Sequence, residues 1–176
     1  KQYRSLVGCI MHPATTCRPD VAAAVRELSS HLQHPTVQHV KAAERALYYL
    51  YHTREEGLNY NFPRNATIAN TFFGTCDAAH NVTHNSRGIT GYSYHAGQGA
   101  VAWKSRAQDI VALSSTEAEL IAVDEAVREL RFLHKLLQDF GINVSDSPTT
   151  IGQDNMSCIT LCKGKHFNAR TKHCAL

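Results

Sequence analysis

The sequence predicts an α/β chain, a sheet with flanking helices preceded by a small helical region. Three observations predict it. Apolar side chains recur at helical spacing through residues 1–61; the stretch "NFPRNAT" (61–67) then interrupts that pattern with Pro, Asn and charge; and the remainder reads strand, strand, strand, helix, strand, helix.

The elements follow in order. "SLVGCIMH" is nearly continuously apolar, as a packed helix would be. In "TTCRPDVAAAVRELSSHL", Pro19 stands near a helix start, where its missing N–H costs nothing, and Ala22, Val25, Leu28 and Leu32 follow at helical spacing. Thr36 is a natural N-cap for the next helix, whose apolar stripe is Val40, Ala43, Leu47 and Leu50 and which Gly57 stops. Tyr48, Tyr49 and Tyr51 are expected to pack on this helix. "TIANTFFGTCDA" (67–78) is β-rich and apolar on both parities, as a central strand would be. "ITGYSYHAG" and "AVAWKSRA" are strands joined across "GQG", a hairpin signal. A long helix follows, roughly Ser115 to Phe140, with Gly141 as its terminator. "PTTIGQDN" reads as a short strand and "NMSCITLCK" as a short helix; the tail "GKHFNARTKHCAL" is basic and irregular.

Composition bounds the function. The chain has 176 residues, 43% hydrophobic and 19% charged, which describes a soluble globular protein of one domain plus a smaller piece. No apolar run approaches the ~18 residues of a membrane span, so no membrane partner is expected. The start "KQYRSLVG" lacks both an initiator Met and a signal-peptide pattern, which predicts a fragment or processed piece. Six cysteines without a C-x-x-C pair predict reduced thiols and an intracellular location, cytoplasmic or nuclear. The sequons at Asn65, Asn81, Asn143 and Asn155 are then chance matches. A net charge of +3 leans only mildly towards polyanions.

The long helix carries an anomaly. Ser114 and Glu117 fit a capping box, and Glu117 leads onto the polar face of Asp124, Arg128, Arg131 and Lys135. Glu119 instead shares its face with Ala122, Val123, Ala126, Leu130 and Leu133. An ionised carboxylate there costs several kcal/mol unless it is paired or metal-bound. Its place in the first turn, where a helix N-terminus favours negative charge, offers a structural alternative. Asp77 follows "TFFGTC" within or at the end of a strand, where Asp is depleted. Asp154 precedes a helix, where an N-cap role would explain it by itself. If the first and fourth strands are neighbours, and the long helix packs on them, all three acids converge. Such a cluster of hard oxygens suits Mg²⁺ or Mn²⁺ rather than zinc, and supports two-metal phosphodiester cleavage.

The stretches "YRSLVG", "TCRPDVAAAV", "GYSYHAGQGAVAWKSRAQ", "ALSSTEAEL", "QDN" and "ARTKH", in this order, resemble copia-type LTR retrotransposon polyproteins over nearly the whole chain. Residues 1–61 resemble the helical thumb and connection region of the reverse transcriptase, and residues 66–176 resemble its ribonuclease H domain. The resemblance implies a ribonuclease H-like mixed sheet with three antiparallel strands and a fourth parallel to the first. It also implies catalytic, metal-binding roles for Asp77, Glu119 and Asp154, and two Mg²⁺ (or Mn²⁺) ions. The implied reaction is hydrolysis of the RNA strand of an RNA–DNA hybrid, recognised by its geometry, 2′-hydroxyls and phosphates. A reverse transcriptase or a second copy of the chain would be a further partner.

This sequence departs from the family where "ARTKH" is usually followed by an apolar residue and a fourth acid: Ala175 stands at the acid's place. Ala79 and His80 also replace a frequent second Asp and Trp. Loss of one ligand implies reduced or absent cleavage. The alternative function is a domesticated, catalytically inactive binding module of the same fold. Phosphate contacts are expected from Lys104 and Arg106, which alternate onto one strand face; Arg170, Lys172 and His173 would meet phosphate, with His173 able to shuttle a proton, or else form a solvated basic tail; Trp103 would stack or join the core. His80 and His84 read as loop histidines.

Overall fold

The computed structural model describes residues 2–62, 64–83, 85–142, 144 and 148–164. The chain divides into two compact units, Lys1–Asn59 and Tyr60–Leu176.

The first unit is helical. It comprises α1 (Gln2–Thr16), a 3₁₀ turn (Pro19–Val21), α2 (Ala22–Ser30) and α3 (Val37–His52). Tyr3, Val7, Ile10 and Ala14 form the buried stripe of α1. They pack with Val21, Val25, Leu28 and Ala43, against which Leu47 and Leu50 also rest. Thr36 caps α3 as its sequence predicts, in a box closed by His39, whose Nδ1 accepts the Thr36 N–H at 3.0 Å. Buried Arg18 donates to both oxygens of Asp20, at 3.0 and 2.7 Å, and to the Thr53 carbonyl at 3.0 Å. These bonds hold the Asp20 carboxyl below its usual range. The tyrosines of α3 correct an expectation. Tyr48 and Tyr51 are 66% and 62% exposed, because the buried stripe of α3 runs along its other face. Tyr49 reaches Asp20 with its hydroxyl at 2.8 Å.

The second unit is α/β. After a single turn of helix, α4 (Ile68–Thr71), come β1 (Phe72–Ala79), β2 (Ile89–Ala96), β3 (Gly99–Ala107), α5 (Ser115–Asp139), β4 (Thr150–Gly152) and α6 (Met156–Lys163). The strand predicted from Thr67 therefore begins only at Phe72. Thr71 bonds its hydroxyl to the Thr67 carbonyl at 2.7 Å, four residues back, which closes a helical turn ahead of the strand. The sheet order is β3-β2-β1-β4, with β1–β2 and β2–β3 antiparallel and β4 parallel to β1. This is the mixed sheet with flanking helices that the sequence and its resemblance led one to expect.

The β2–β3 hairpin turns at Gly97, whose φ of +62° is the left-handed value that glycine adopts without strain. Helix α5 lies on the face presenting Phe72, Cys76, Tyr92 and Tyr94 and packs there through Ala126 and Leu133. Its small residues Ala118, Ala122 and Ala126 are fully buried, and Tyr94 donates to the Ala126 carbonyl at 2.6 Å. Gly74 makes room for that tyrosine, since a Cβ there would stand 2.4 Å from its ring. Among the described residues no helix is long and apolar enough to cross a membrane.

Candidate metal centre

Each acid reaches the site by a different local rule. In the parallel pairing of β1 with β4, Phe73, Gly74 and Thr75 face Thr150, Ile151 and Gly152. Continued for two residues, this register brings Asp77 level with Asp154. Asp154 is free to face the site because the next residue is the cap of α6: Asn155 accepts the Cys158 N–H at 3.0 Å. The N-cap explanation of Asp154 thus belongs to its neighbour.

Glu119 arrives from α5. Ser114 caps that helix, accepting the Glu117 N–H at 3.1 Å, while the Glu117 carboxylate accepts the Leu113 N–H at 2.7 Å. Glu117 is thereby spent on the helix start. Two residues on, Glu119 is only 6% exposed.

Ligand oxygens of Asp77, Glu119 and Asp154 all lie within 4.8 Å of one another, and could hold a metal ion. They do not meet over one face of the sheet. The alternation of β1 puts Asp77 on the parity of exposed Phe73 and Thr75, whereas α5 covers the parity of Phe72 and Cys76. The acids meet at the sheet margin, where the β4 ladder has stopped at Gly152. Asp77 and Asp154 are exposed and Glu119 is buried behind them.

Burial raises the Glu119 pKa above the ordinary carboxylate value, and the negative charges of Asp77 and Asp154 push the same way. Two donors oppose the rise. Gln153 Nε2 donates to Glu119 Oε2 at 3.0 Å, and the Ala78 N–H also bonds the carboxylate. That same N–H lies 2.8 Å from Asp77 Oδ1. Among the described residues none of the three acids is ion-paired with Lys or Arg. The Cys76 thiol, next to Asp77 in the chain, is pushed up to about 11, by burial first and then by the charge of Glu119. A donor set of three hard oxygens, with one buried and electrostatically crowded, fits a divalent cation of the Mg²⁺ or Mn²⁺ kind.

The basic residues singled out in the sequence divide. Lys104 and Arg106 pair with Tyr92 and Thr90 and so share the α5 face of β3. Lys104 is exposed. Arg106 is committed to two acids, Asp109 and Glu125, the latter at 3.1 Å. His80 is held through Nε2 to the Ala112 carbonyl at 3.0 Å. His84, Arg170, Lys172, His173 and Ala175 lie outside the described residues. Gln153 escaped the sequence reading. Its only signal was an amide directly before Asp154, and its bond to Glu119 spans 34 residues.

A mixed four-stranded sheet with a helix-borne glutamate set against Asp77 on β1 and Asp154 just beyond β4 defines an α/β domain with a carboxylate cluster that could hold a metal ion. The chain belongs to the copia-type retrotransposon Pol polyproteins. It is 34% identical over 171 residues to the retrovirus-related Pol polyprotein from transposon TNT 1-94 of Nicotiana tabacum, covering 97% of this chain. It is also 34% identical over 175 residues, 99% of this chain, to that from transposon RE2 of Arabidopsis thaliana. The chain spans 12% of the length of each of these polyproteins. Over 131 residues it is 40% identical to secreted RxLR effector protein 161 of Plasmopara viticola, covering 74% of this chain and 90% of that protein. No family model and no solved structure matches the chain.

Proposed function

We propose that this chain is a retroelement-derived ribonuclease H that hydrolyses the RNA strand of RNA–DNA hybrids with two Mg²⁺ or Mn²⁺ ions. The observation that carries the reading is the convergence of the Asp77, Glu119 and Asp154 oxygens within 4.8 Å at an open sheet margin. The membership in a Pol polyprotein family supports it. Bound divalent ions supply an activated water and stabilise the leaving oxygen. The protein's part is to hold the ligands. Buried Glu119 forms the floor of the site, while exposed Asp77 and Asp154 stand at its mouth, where a phosphate of the hybrid arrives. Lys104 is proposed to meet the backbone of the hybrid, together with Arg170, Lys172 and His173. Arg106 contributes chiefly by tying β3 to α5 through Glu125. Recognition is of hybrid shape and 2′-hydroxyls, not of sequence.

Ala175 stands where the family's fourth acid is expected, which predicts reduced or absent cleavage. The test is cleavage of an end-labelled RNA–DNA hybrid in Mg²⁺ and in Mn²⁺. Asp77→Asn should abolish turnover. Ala175→Asp should raise it by at least about tenfold, since even outer-shell partners of a metal are worth 10–100-fold. Equal turnover in the wild type and Asp77→Asn would overturn the reading. Hybrid binding without turnover in both the wild type and Ala175→Asp would favour a domesticated binding module instead.

A further inference from the structure

Gln153 lies between β4 and α6, directly before Asp154. Its Oε1 accepts the Asn155 N–H at 2.9 Å, and its Nε2 donates to Glu119 Oε2 at 3.0 Å. The orientation of the amide follows from its partners. A backbone N–H only donates and an ionised carboxylate only accepts, so the oxygen must face Asn155 and the NH₂ must face Glu119. The same Nε2 lies 3.8 Å from Cys76 Sγ, next in the chain to Asp77. One neutral side chain therefore joins the loop that carries Asp154 to the helix that carries Glu119, beside the strand that carries Asp77.

We infer that Gln153 is a positioning residue of the metal centre, which fixes the Glu119 carboxylate relative to Asp77 and Asp154 before an ion binds. The inference rests on the reading of those three acids as metal ligands. Three carboxylates within 4.8 Å repel one another, and a Glu119 held by the Ala78 N–H alone would be freer to turn away from the other two. A second donor, from a side chain, fixes its orientation. A lysine in that place would neutralise the cluster and compete with the ion; an amide supplies the hydrogen bond and leaves the negative charge to the metal. The second bond, to the Asn155 N–H, anchors the amide to the residue that caps α6, so the donor is itself held in place.

Gln153→Leu keeps the volume and removes both hydrogen bonds. Calorimetric titration of Mn²⁺ into the full chain should show affinity about tenfold weaker than in the wild type, within the range for outer-shell partners. A merely structural role would lower the melting temperature in EDTA and leave Mn²⁺ affinity unchanged; that result overturns the inference. A wild-type chain that binds no Mn²⁺ overturns the metal-centre reading and the positioning role with it, so the two failures are distinguishable. Should Gln153→Leu not fold, a ¹⁵N-labelled chain in EDTA puts the question directly. The Gln153 side-chain amide resonances should move on Glu119→Ala, and unmoved resonances would show that the tether is not formed.

Discussion

Glu119 shows what the site asks of one residue. Its carboxyl is buried and faces two like charges, so its folded pKa lies above that of the unfolded chain. Between the two values the folded chain binds more protons than the unfolded one, and stability falls as pH rises. Ionised Glu119 therefore destabilises the metal-free protein at neutral pH, and the penalty disappears as pH drops below the unfolded value of about 4.3. Glu119→Gln should melt at a higher temperature than the wild type at pH 7 in EDTA, as is common where function is traded against stability. The gap should close towards pH 4. In Mn²⁺ at a hundredfold its dissociation constant the order should reverse, since the wild type then gains about 2.7 kcal/mol that the variant lacks. Circular dichroism melts in EDTA and in Mn²⁺ check all three statements. This residue was legible in the sequence because helical spacing put a charge among Ala122, Val123 and Ala126. Gln153 was not, because only the folded chain brings it to a helix 34 residues away. Asp154 was half legible. Its position before a helix suggested a cap, and only the Asn155–Cys158 bond shows which of two adjacent residues does the capping.

At the scale of elements, α5 decides where the buried acid stands. Its contact with the sheet is made by Ala126 and Leu133, and its small, fully buried residues Ala118, Ala122 and Ala126 let the helix backbone approach closely enough for Tyr94 to bond the Ala126 carbonyl at 2.6 Å. A larger residue would lift the helix. Ala126→Leu is expected to cost about 1–3 kcal/mol by overpacking, read from urea melts, and to lower Mn²⁺ affinity as well, because Glu119 rides on the same helix. Affinity unchanged despite the loss of stability would mean that the site adjusts independently of α5. The bounds of α5 were readable within a residue or so. Ser114 marks its start, and Gly141, at a φ of +76°, follows its end. The one-turn helix ahead of β1 was not readable, since Ile68 and Phe72 suit a strand as well, and the Thr71–Thr67 bond that decides the matter is local and weakly encoded.

For the whole molecule, spacing could not deliver the adjacency of β1 and β4. Their ladder is a parallel match of three residue pairs between segments more than seventy residues apart, and no periodicity encodes it. The resemblance to copia-type polyproteins supplied that neighbourhood, and with it the convergence of the acids. Under the proposed function, the same architecture would set how the molecule meets a polyanion. Its net charge of +3 comes from 18 Lys and Arg against 15 Asp and Glu, too little for strong non-specific attraction, so the proposed hybrid binding would depend on a few placed cations. Lys104 is exposed on β3, whereas Arg106 is neutralised by Asp109 and Glu125. If Lys104, Arg170 and Lys172 each neutralise one phosphate, log affinity for a hybrid should fall with log salt at a slope of roughly −2 to −3. Fluorescence anisotropy with a labelled hybrid in EDTA, where the RNA stays intact, measures that slope between 50 and 200 mM salt. Lys104→Ala should reduce its magnitude by about one and weaken binding alike on all sequences. Arg106→Ala should leave the slope in place and lower the melting temperature, because its charge is already spent inside the protein. Equal effects of the two substitutions on the slope would mean that Arg106 leaves its acids to meet the hybrid, and that the β3 surface rearranges on binding.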